Sequence, residues 1–316
     1  MNQVHNGGVD PRLHAALRDG DGIIASAGAV LRQFLTDTDR SLFTDAVVAR
    51  VRGMVNDVAR QLLFAEVAVD EQTDPSERTH SHCNALSEAL VSRTPFLAYV
   101  HGLALEWHLT ERLEIRAGLD YVLSPLVQDL IASDDADLSA SAMALLAAQA
   151  RFVQQQRRME LPLGELPGDL FHGAVVTWRN CTAVTNDNTA DAIERRLRSD
   201  FDESRSRLGL IARIATAMGP EAVSALDIRH GGVAMFLTAL AFGAGQERHV
   251  CALATNARHV VRLALSLRAA GAKPQAVMNQ IMFIHSELEP PQWLRDIDPE
   301  IAATMLADSV TGWHES

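Results

Sequence analysis

Histidine and carboxylate side chains at helical spacing are the residues of this sequence best suited to chemistry. His101 and His108 are seven residues apart, which places them on one face of a helix, and Glu111 follows about one turn later. An imidazole and a carboxylate one turn apart can tune each other for proton transfer, and a helix-borne imidazole can accept a phosphoryl group. These three residues are the candidate catalytic group. Because twelve histidines in a helical chain generate such pairs by chance, core or surface histidines without a catalytic role are the default interpretation.

A second group, His80, His82 and Cys83, is the densest set of possible metal ligands. Imidazole nitrogen and thiolate sulfur are the ligands that Zn²⁺ prefers. Three such groups within four residues of one helix point in divergent directions, and no second ligand pair with zinc spacing is present. A surface histidine pair beside a half-buried thiol is therefore the favoured interpretation, and the sequence predicts neither a metal nor another cofactor.

Composition and charge limit the classes of protein to which the chain can belong. Of its 316 residues, 47% are hydrophobic and only 5% aromatic, which is ample material for a core built from aliphatic side chains. The net charge of −12 opposes general affinity for nucleic acid or an anionic membrane, because both repel an acidic surface. Nucleic acid is thus an unfavoured partner, although a local arginine surface stays an open alternative.

Cysteine usage and hydropathy indicate where the protein works. The three cysteines are far apart and odd in number, so they do not form a disulfide framework, and a reducing cytoplasm is expected. The longest uncharged segment, Gly231 to Gln246, has 16 residues and contains several glycines. Since a membrane-spanning helix needs ~20 apolar residues, we expect a buried core helix there and no membrane insertion.

Apolar residues recur at three and four positions along most of the chain, which predicts an all-α fold. Stacked helical hairpins, in a HEAT-like irregular solenoid or a bundle with two subdomains, are the expected architecture. An internal echo supports it, since AMGPEAV at 217–223 returns as AGAKPQAV at 270–277. In each copy a glycine ends one helix and a proline starts the next. A broad alanine-rich stripe at 138–153 predicts close packing within the chain or at the seam of a homodimer.

The pattern of turns and caps divides the chain. Residues 1–10 are predicted to be a flexible tail, 11–179 an N-terminal helical domain, 180–188 a linker and 189–316 a C-terminal repeat-like domain. We expect a turn at Gly20–Gly22 between two helices. A single helix is predicted over about 189–218, with a solvated face of ion pairs at i,i+4. The expected pairs are Asp191 with Arg195, Glu194 with Arg198, and Glu203 with Arg207.

Two segments resemble an uncharacterised bacterial family, domain of unknown function 2336. One is FLTDTDRSLF at 34–43 running into VRGMVNDVARQL at 51–62, which is similar to an early helix of that family. The other is FLTALA at 236–241, followed by LSLRAAG at 265–271, a helix that ends before a glycine. The chain departs from the family pattern at 59–60, where alanine and arginine follow directly on a valine. The resemblance implies an all-helical, HEAT-like architecture and carries over no catalytic residue.

These features favour a non-catalytic helical scaffold or adaptor that binds other proteins in the bacterial cytoplasm, in a signalling role as one option. Helical stacks offer extended surfaces to partners, although this step from architecture to function is an analogy. The alternative is a phosphotransfer protein or metal-dependent enzyme that uses His101 and His108, or His80 and His82. Partner identity and oligomeric state stay open, with a homodimer as one possibility.

Overall fold

The computed structural model describes residues 11–36, 45–67, 75–181, 187–288 and 297–309. Within these ranges the chain forms fourteen α-helices and no strand, so the predicted all-α fold is confirmed. The predicted tail and the greater part of the predicted linker lie outside the described residues. None of the helices in these ranges combines the length and the apolar character needed to cross a bilayer.

The described residues also contain four 3-10 helices: Leu163–Glu165, Glu203–Arg205, Gly219–Leu226 and Ala257–His259. The α-helices are α1 (Pro11–Thr36), α2 (Asp45–Val67), α3 (Pro75–Ser92), α4 (Thr94–Ala117), α5 (Pro125–Ile131), α6 (Ala136–Arg157), α7 (Gly168–Cys181), α8 (Asp187–Asp200), α9 (Arg207–Met218), α10 (Ile228–Ala244), α11 (Arg248–Ala254), α12 (Val260–Ala269), α13 (Pro274–Ile284) and α14 (Pro299–Asp308).

Helix ends follow from local chemistry at several predicted points. Asp135 accepts hydrogen bonds from the backbone N–H groups of Asp137 and Leu138 and so caps the start of α6. In the internal echo, Gly219 follows α9 with φ +53° and Gly271 follows α12 with φ +92°, conformations that glycine adopts at little cost. The echo therefore does mark two helix ends. Its first copy continues into a 3-10 helix and its second into α13.

The expected turn at Gly20–Gly22 is wrong, because α1 runs through both glycines without interruption. Each glycine costs a helix ~1 kcal/mol relative to alanine, and tertiary packing overrides that preference here. A Cβ atom on Gly20 would lie 3.2 Å from Nδ1 of His259, so the missing side chain lets α1 approach the 3-10 helix closely. Ile24, one turn further along α1, is fully buried.

The expected single helix over 189–218 is also wrong, since α8 ends at Asp200 and α9 begins only at Arg207. Two caps explain the interruption. Asp202 accepts from the N–H of Ser204, and the Ser206 hydroxyl accepts from the N–H of Gly209. Between α4 and α5, residues 118–124 are not helical. Asp120 there accepts two backbone N–H groups and forms a turn.

Two large apolar clusters form most of the described core, and α1, α4 and α6 contribute to both. Helix α1 supplies Leu17 to one and Leu31 to the other. The larger cluster combines α5 and α9–α14 with Leu109 and Leu113 of α4 and Leu145 of α6. The other combines α2, α3, α7 and α8 with Trp107 of α4 and Phe152 of α6. Since α1, α4 and α6 contribute to both clusters, these three helices connect the two parts of the core. The division of the chain at 180–188 stays a prediction.

A buried arginine ties the first and last described helices together. Arg262 of α12 donates to the Asp21 carboxylate of α1 and, through the same nitrogen, to the Ser309 hydroxyl at 3.0 Å just beyond α14. Its other terminal nitrogen donates to Gln246 at 2.9 Å. Because a buried guanidinium without a carboxylate is costly, this contact fixes the position of α1 across the later helices.

The crossing of α4 and α11 depends on a second glycine. A Cβ atom on Gly102 would lie 2.9 Å from Cβ and 3.1 Å from Cα of His249, which is closer than side chains approach. The backbones therefore pack at a distance that only glycine permits.

Replacing Gly102 with alanine is expected to lower the free energy of unfolding by about 1–3 kcal/mol, because the added methyl group overpacks the crossing. The matched control is Gly22→Ala in α1, where a Cβ atom would meet nothing within 4 Å. That change is expected to raise the free energy of unfolding by up to about 1 kcal/mol through helix propensity. Chemical denaturation followed by circular dichroism measures both. Equal destabilisation by the two variants would contradict the packing argument.

Candidate functional site

The most strongly built polar cluster is a buried ion network on α4. Glu106 and Arg207 are each only 1% exposed, and they form a two-pronged pair with distances of 2.7 Å (Nη1 to Oε1) and 3.0 Å (Nη2 to Oε2). Arg248, at the start of α11, donates to the same Oε2 at 3.0 Å. The network thus joins α4, α9 and α11, which are far apart in the chain.

Neutral side chains complete this network. The amide oxygen of Gln149 accepts from Arg207 at 3.2 Å, and its nitrogen donates to the carbonyl oxygen of Tyr121 at 2.9 Å. The Arg207 guanidinium lies 3.6 Å from the centroid of the Phe152 ring, a cation–π contact. Arg248 Nε donates to the Thr238 hydroxyl at 3.0 Å. These contacts connect α6 and α10 to α4, α9 and α11, the three helices that carry the charged residues of the network.

Electrostatics keep the Glu106 carboxyl ionised. Burial alone raises its pKa, but the charges and hydrogen bonds of Arg207 and Arg248 outweigh burial and lower the pKa to about 2. Both carboxylate oxygens already accept guanidinium hydrogen bonds. The group therefore has little capacity to act as a proton acceptor at neutral pH, and its chemistry is that of a structural anchor.

A small cleft lies beside the network. Its lining includes Thr110, Tyr121, Ser124, Gln149 and Gly232, and its volume of about 30 Å³ is room for one or two water molecules. Gly232, with φ +72°, kinks α10 at this point, and a Cβ atom there would lie 3.1 Å from Ser124 Cβ. The cleft is thus a consequence of the kink in α10.

The structure gives the three candidate catalytic residues different neighbours. His101 is fully buried against α11, where burial and the neighbouring His249 lower its pKa to about 3. His108 is half-buried, and its pKa is lowered by burial and by the charge of Arg112, with Glu111 acting in the opposite direction. The nearest cation to the Glu111 carboxylate is Arg50 of α2, at 4.0 Å. Catalysis by this group stays a prediction.

The candidate metal ligands share α3. The His80 side chain lies outside the described part, His82 is exposed, and Cys83 is half-buried with its sulfur 3.9 Å from the carbonyl oxygen of Asn56. Among the described residues, no group of three histidine, cysteine or carboxylate side chains is placed to hold a metal ion. Metal binding at His80, His82 and Cys83 stays a prediction.

Sequence reasoning missed Arg207 as a core residue. It was expected on a solvated face with Glu203, but Glu203 instead accepts from the N–H of Gly168 at 3.1 Å. The physical reason is the break after α8, which removes the helical spacing between the two residues. The signal that could have found the pair is Glu106 itself. A carboxylate between Leu105 and Trp107, in the mostly apolar part of the helix, needs a buried cation.

Of the two other ion pairs expected on α8, one forms and one does not. Arg198 and Glu194 form the predicted pair at 2.7 Å. Asp191 pairs with Arg179 of α7 at 2.7 Å, and Arg195 instead donates to the Asp191 backbone oxygen at 3.2 Å. These contacts lie on the exposed side of α8, so they contribute little to stability.

A second notable feature is a cationic and apolar surface where α4 ends beside α13. Arg112 and Arg116 both donate to the carbonyl oxygen of Ile284, at 3.4 and 3.1 Å, and Arg116 also donates to that of Phe283. Cations at these positions complement the partial negative charge at the carboxyl end of a helix. Arg116 and Arg229 lie 5.7 and 5.4 Å from the centroid of the Phe283 ring.

Exposed apolar side chains adjoin these arginines. Ile115 is 83% exposed, although the apolar residues in the preceding turns of α4 are buried, and Met282 of α13 is exposed as well. We refer to the region formed by Arg112, Ile115, Arg116, Arg229, Met282 and Phe283 as the α4–α13 surface. His285 lies beneath it, buried, and burial together with the charges of Arg112 and Arg116 lowers its pKa to about 4.

Comparisons with family models, with curated proteins and with solved structures found no match. The interpretation of the chain therefore depends on its own geometry.

Replacing Glu106 with glutamine is expected to lower the free energy of unfolding by about 3–5 kcal/mol, because Arg207 would keep its charge in a dry site without a carboxylate. Glu111→Gln is the matched control on the same helix. That carboxylate is 43% exposed and 4.0 Å from its cation, so a change below about 1 kcal/mol is expected. Urea denaturation compares the two. A small effect at Glu106 would show that the network is not the anchor.

Acid sensitivity follows from the buried histidines. In the folded state the pKa of His101 is about 3 and that of His249 about 4, below the ordinary value of 6.5. The unfolded chain therefore binds protons that the folded chain does not, and stability falls as pH falls from 6.5 towards 4. His101→Gln is expected to reduce that slope by up to about 1.4 kcal/mol per pH unit.

The control for this measurement is His82→Gln, an exposed position on α3, for which the slope is expected to stay unchanged. Urea denaturation at a series of pH values gives both slopes. An unaltered slope in the His101 variant would contradict the assignment of a neutral, buried imidazole.

Proposed function

We propose that this protein is a non-catalytic helical scaffold that binds a protein partner at the α4–α13 surface. The observation that carries the proposal is the exposure of Ile115, 83%, at the end of a helix whose preceding apolar side chains are buried. Exposure of an apolar side chain to water is unfavourable, and a partner that covers Ile115 would gain the free energy of burying it.

Composition of the surrounding surface supports the proposal. Arginine, methionine and aromatic residues are enriched in protein–protein interfaces relative to other surfaces. The α4–α13 surface brings together Arg116, Arg229, Met282 and Phe283 around the exposed Ile115. Each of these side chains has a described contact or a measured exposure, and none of them is buried in the core.

Rigidity of the supporting helix is a second support. The ion network fixes α4 through Glu106, and Leu113, two residues before Ile115, is fully buried. A surface on a rigid element loses little conformational entropy when it binds, which favours affinity. The histidine-centred alternative has no comparable geometric support within the described residues.

The test replaces Ile115 with aspartate in the full chain. Capture of partners from the native cell, quantified by mass spectrometry, is expected to lose a defined subset by at least about ten-fold, because a charge would replace the buried isoleucine. Phe242→Asp is the matched control, since Phe242 is also exposed, 57%, but lies at the end of α10. An identical partner set for wild type, the Ile115 variant and the Phe242 variant would refute docking at this surface.

A further inference from the structure

We propose that the α4–α13 surface recognises an acidic protein segment that carries an apolar side chain. In this arrangement Arg116 and Arg229 contact carboxylates of the partner, and Ile115 and Met282 cover its apolar residue. The inference rests on the proposed scaffold function and adds the chemistry of the partner, which the scaffold proposal leaves undefined.

Hydrogen-bonding capacity is the first argument. A guanidinium has five N–H donors. Among the contacts of the described residues, Arg229 uses Nε in a long contact of 3.4 Å with Asp227, and no partner of its terminal nitrogens is seen there. Arg116 donates to two backbone oxygens and to Ser286. Both side chains are exposed, so donors on each remain accessible to an incoming carboxylate, the group that guanidinium binds best.

Local charge imbalance is the second argument. Three guanidinium groups, of Arg112, Arg116 and Arg229, lie at the end of α13, and the carboxylate of Asp227 pairs with Arg229. Within the described residues, neither Arg112 nor Arg116 has a carboxylate within 4.0 Å. His285 beneath them adds no charge at neutral pH. The surface is therefore a positive region on a protein of net charge −12.

The geometry of Phe283 brings two of these charges together. Arg116 comes from α4 and Arg229 from the start of α10, and both guanidinium groups lie within 6 Å of one ring. Carboxylates of one partner segment can therefore reach both guanidinium groups. The ring holds them in place without neutralising them.

Apolar exposure beside the charges selects a protein segment over a nucleic acid. Ile115 and Met282 offer an aliphatic surface that matches a leucine- or isoleucine-like side chain. Nucleic acid would gain little from that surface, and the overall charge of −12 repels it at long range. An acidic segment is attracted by the local positive charge and buries its apolar residue on the same surface.

The experiment uses the full chain and a short fluorescein-labelled peptide made of glutamate and leucine, with binding measured by fluorescence anisotropy. Wild type is expected to bind, with affinity falling as salt rises, because the attraction is between charges. The double variant Arg116→Glu, Arg229→Glu is expected to bind at least about ten-fold more weakly. The matched control is Arg213→Glu, an exposed arginine on α9, which is expected to bind like wild type.

A second peptide, of opposite charge, distinguishes a loss of recognition from misfolding of the double variant. The double variant is expected to gain affinity for a peptide in which lysine replaces glutamate, a result that an unfolded protein would not give. Circular dichroism and thermal unfolding verify that the helical content is retained. Because Arg116 also caps α13, Arg229→Glu alone is measured as a milder change and is expected to show part of the loss.

Three results would overturn the inference: equal binding of the glutamate and lysine peptides by wild type, undiminished binding by the double variant, or tighter binding of a single-stranded DNA oligonucleotide. Failure here is distinguishable from failure of the scaffold proposal. If partners are lost on Ile115→Asp but retained by the arginine variants, the scaffold proposal stands and the proposal of an acidic partner is refuted. If capture is also insensitive to Ile115, both proposals fail.

Discussion

The buried carboxylate of Glu106, held by Arg207 and Arg248, is the interaction on which the arrangement of the helices depends. Glu106 is 101 positions from Arg207 and 142 positions from Arg248 in the chain. Such a pair is costly to bury and more costly to break, so its main effect is to specify one arrangement of α4, α9 and α11. Gln149 and Thr238 accept further hydrogen bonds from the two guanidinium groups, which extends the same constraint to α6 and α10.

The ion network fixes the centre of α4, and the two halves of the helix pack mainly into different apolar clusters. The first half and the centre supply Leu103 and Trp107 to one apolar cluster, and the following turns supply Leu109 and Leu113 to the other. Only at its last turn does the helix expose Ile115 and Arg116. The docking surface that we propose is thus the exposed end of a helix that the ion network and both apolar clusters hold in place, which gives the surface a defined shape before any partner binds.

The local sequence pattern predicts most of the helices but does not predict the contacts between them. The ends of α4, α6 and α13 follow from proline, aspartate and glycine signals that act within a few residues. Gly20 was misinterpreted as part of a turn because its role is tertiary, a close approach to His259 that no local pattern contains. For the same reason Arg207 could be placed on a helix but not paired with Glu106, since the pairing depends on which helices meet.

The link between Asp21 and Arg262 has a consequence for synthesis of the chain. The two residues are 241 positions apart, so α1 leaves the ribosome long before its charged partner exists. Leu13, Leu17 and Ile24 on the same helix also lack their later neighbours during that interval. The docking of this amphipathic helix against α12 must therefore wait until α12 has been synthesised, which makes it a late step in the folding of the described helices.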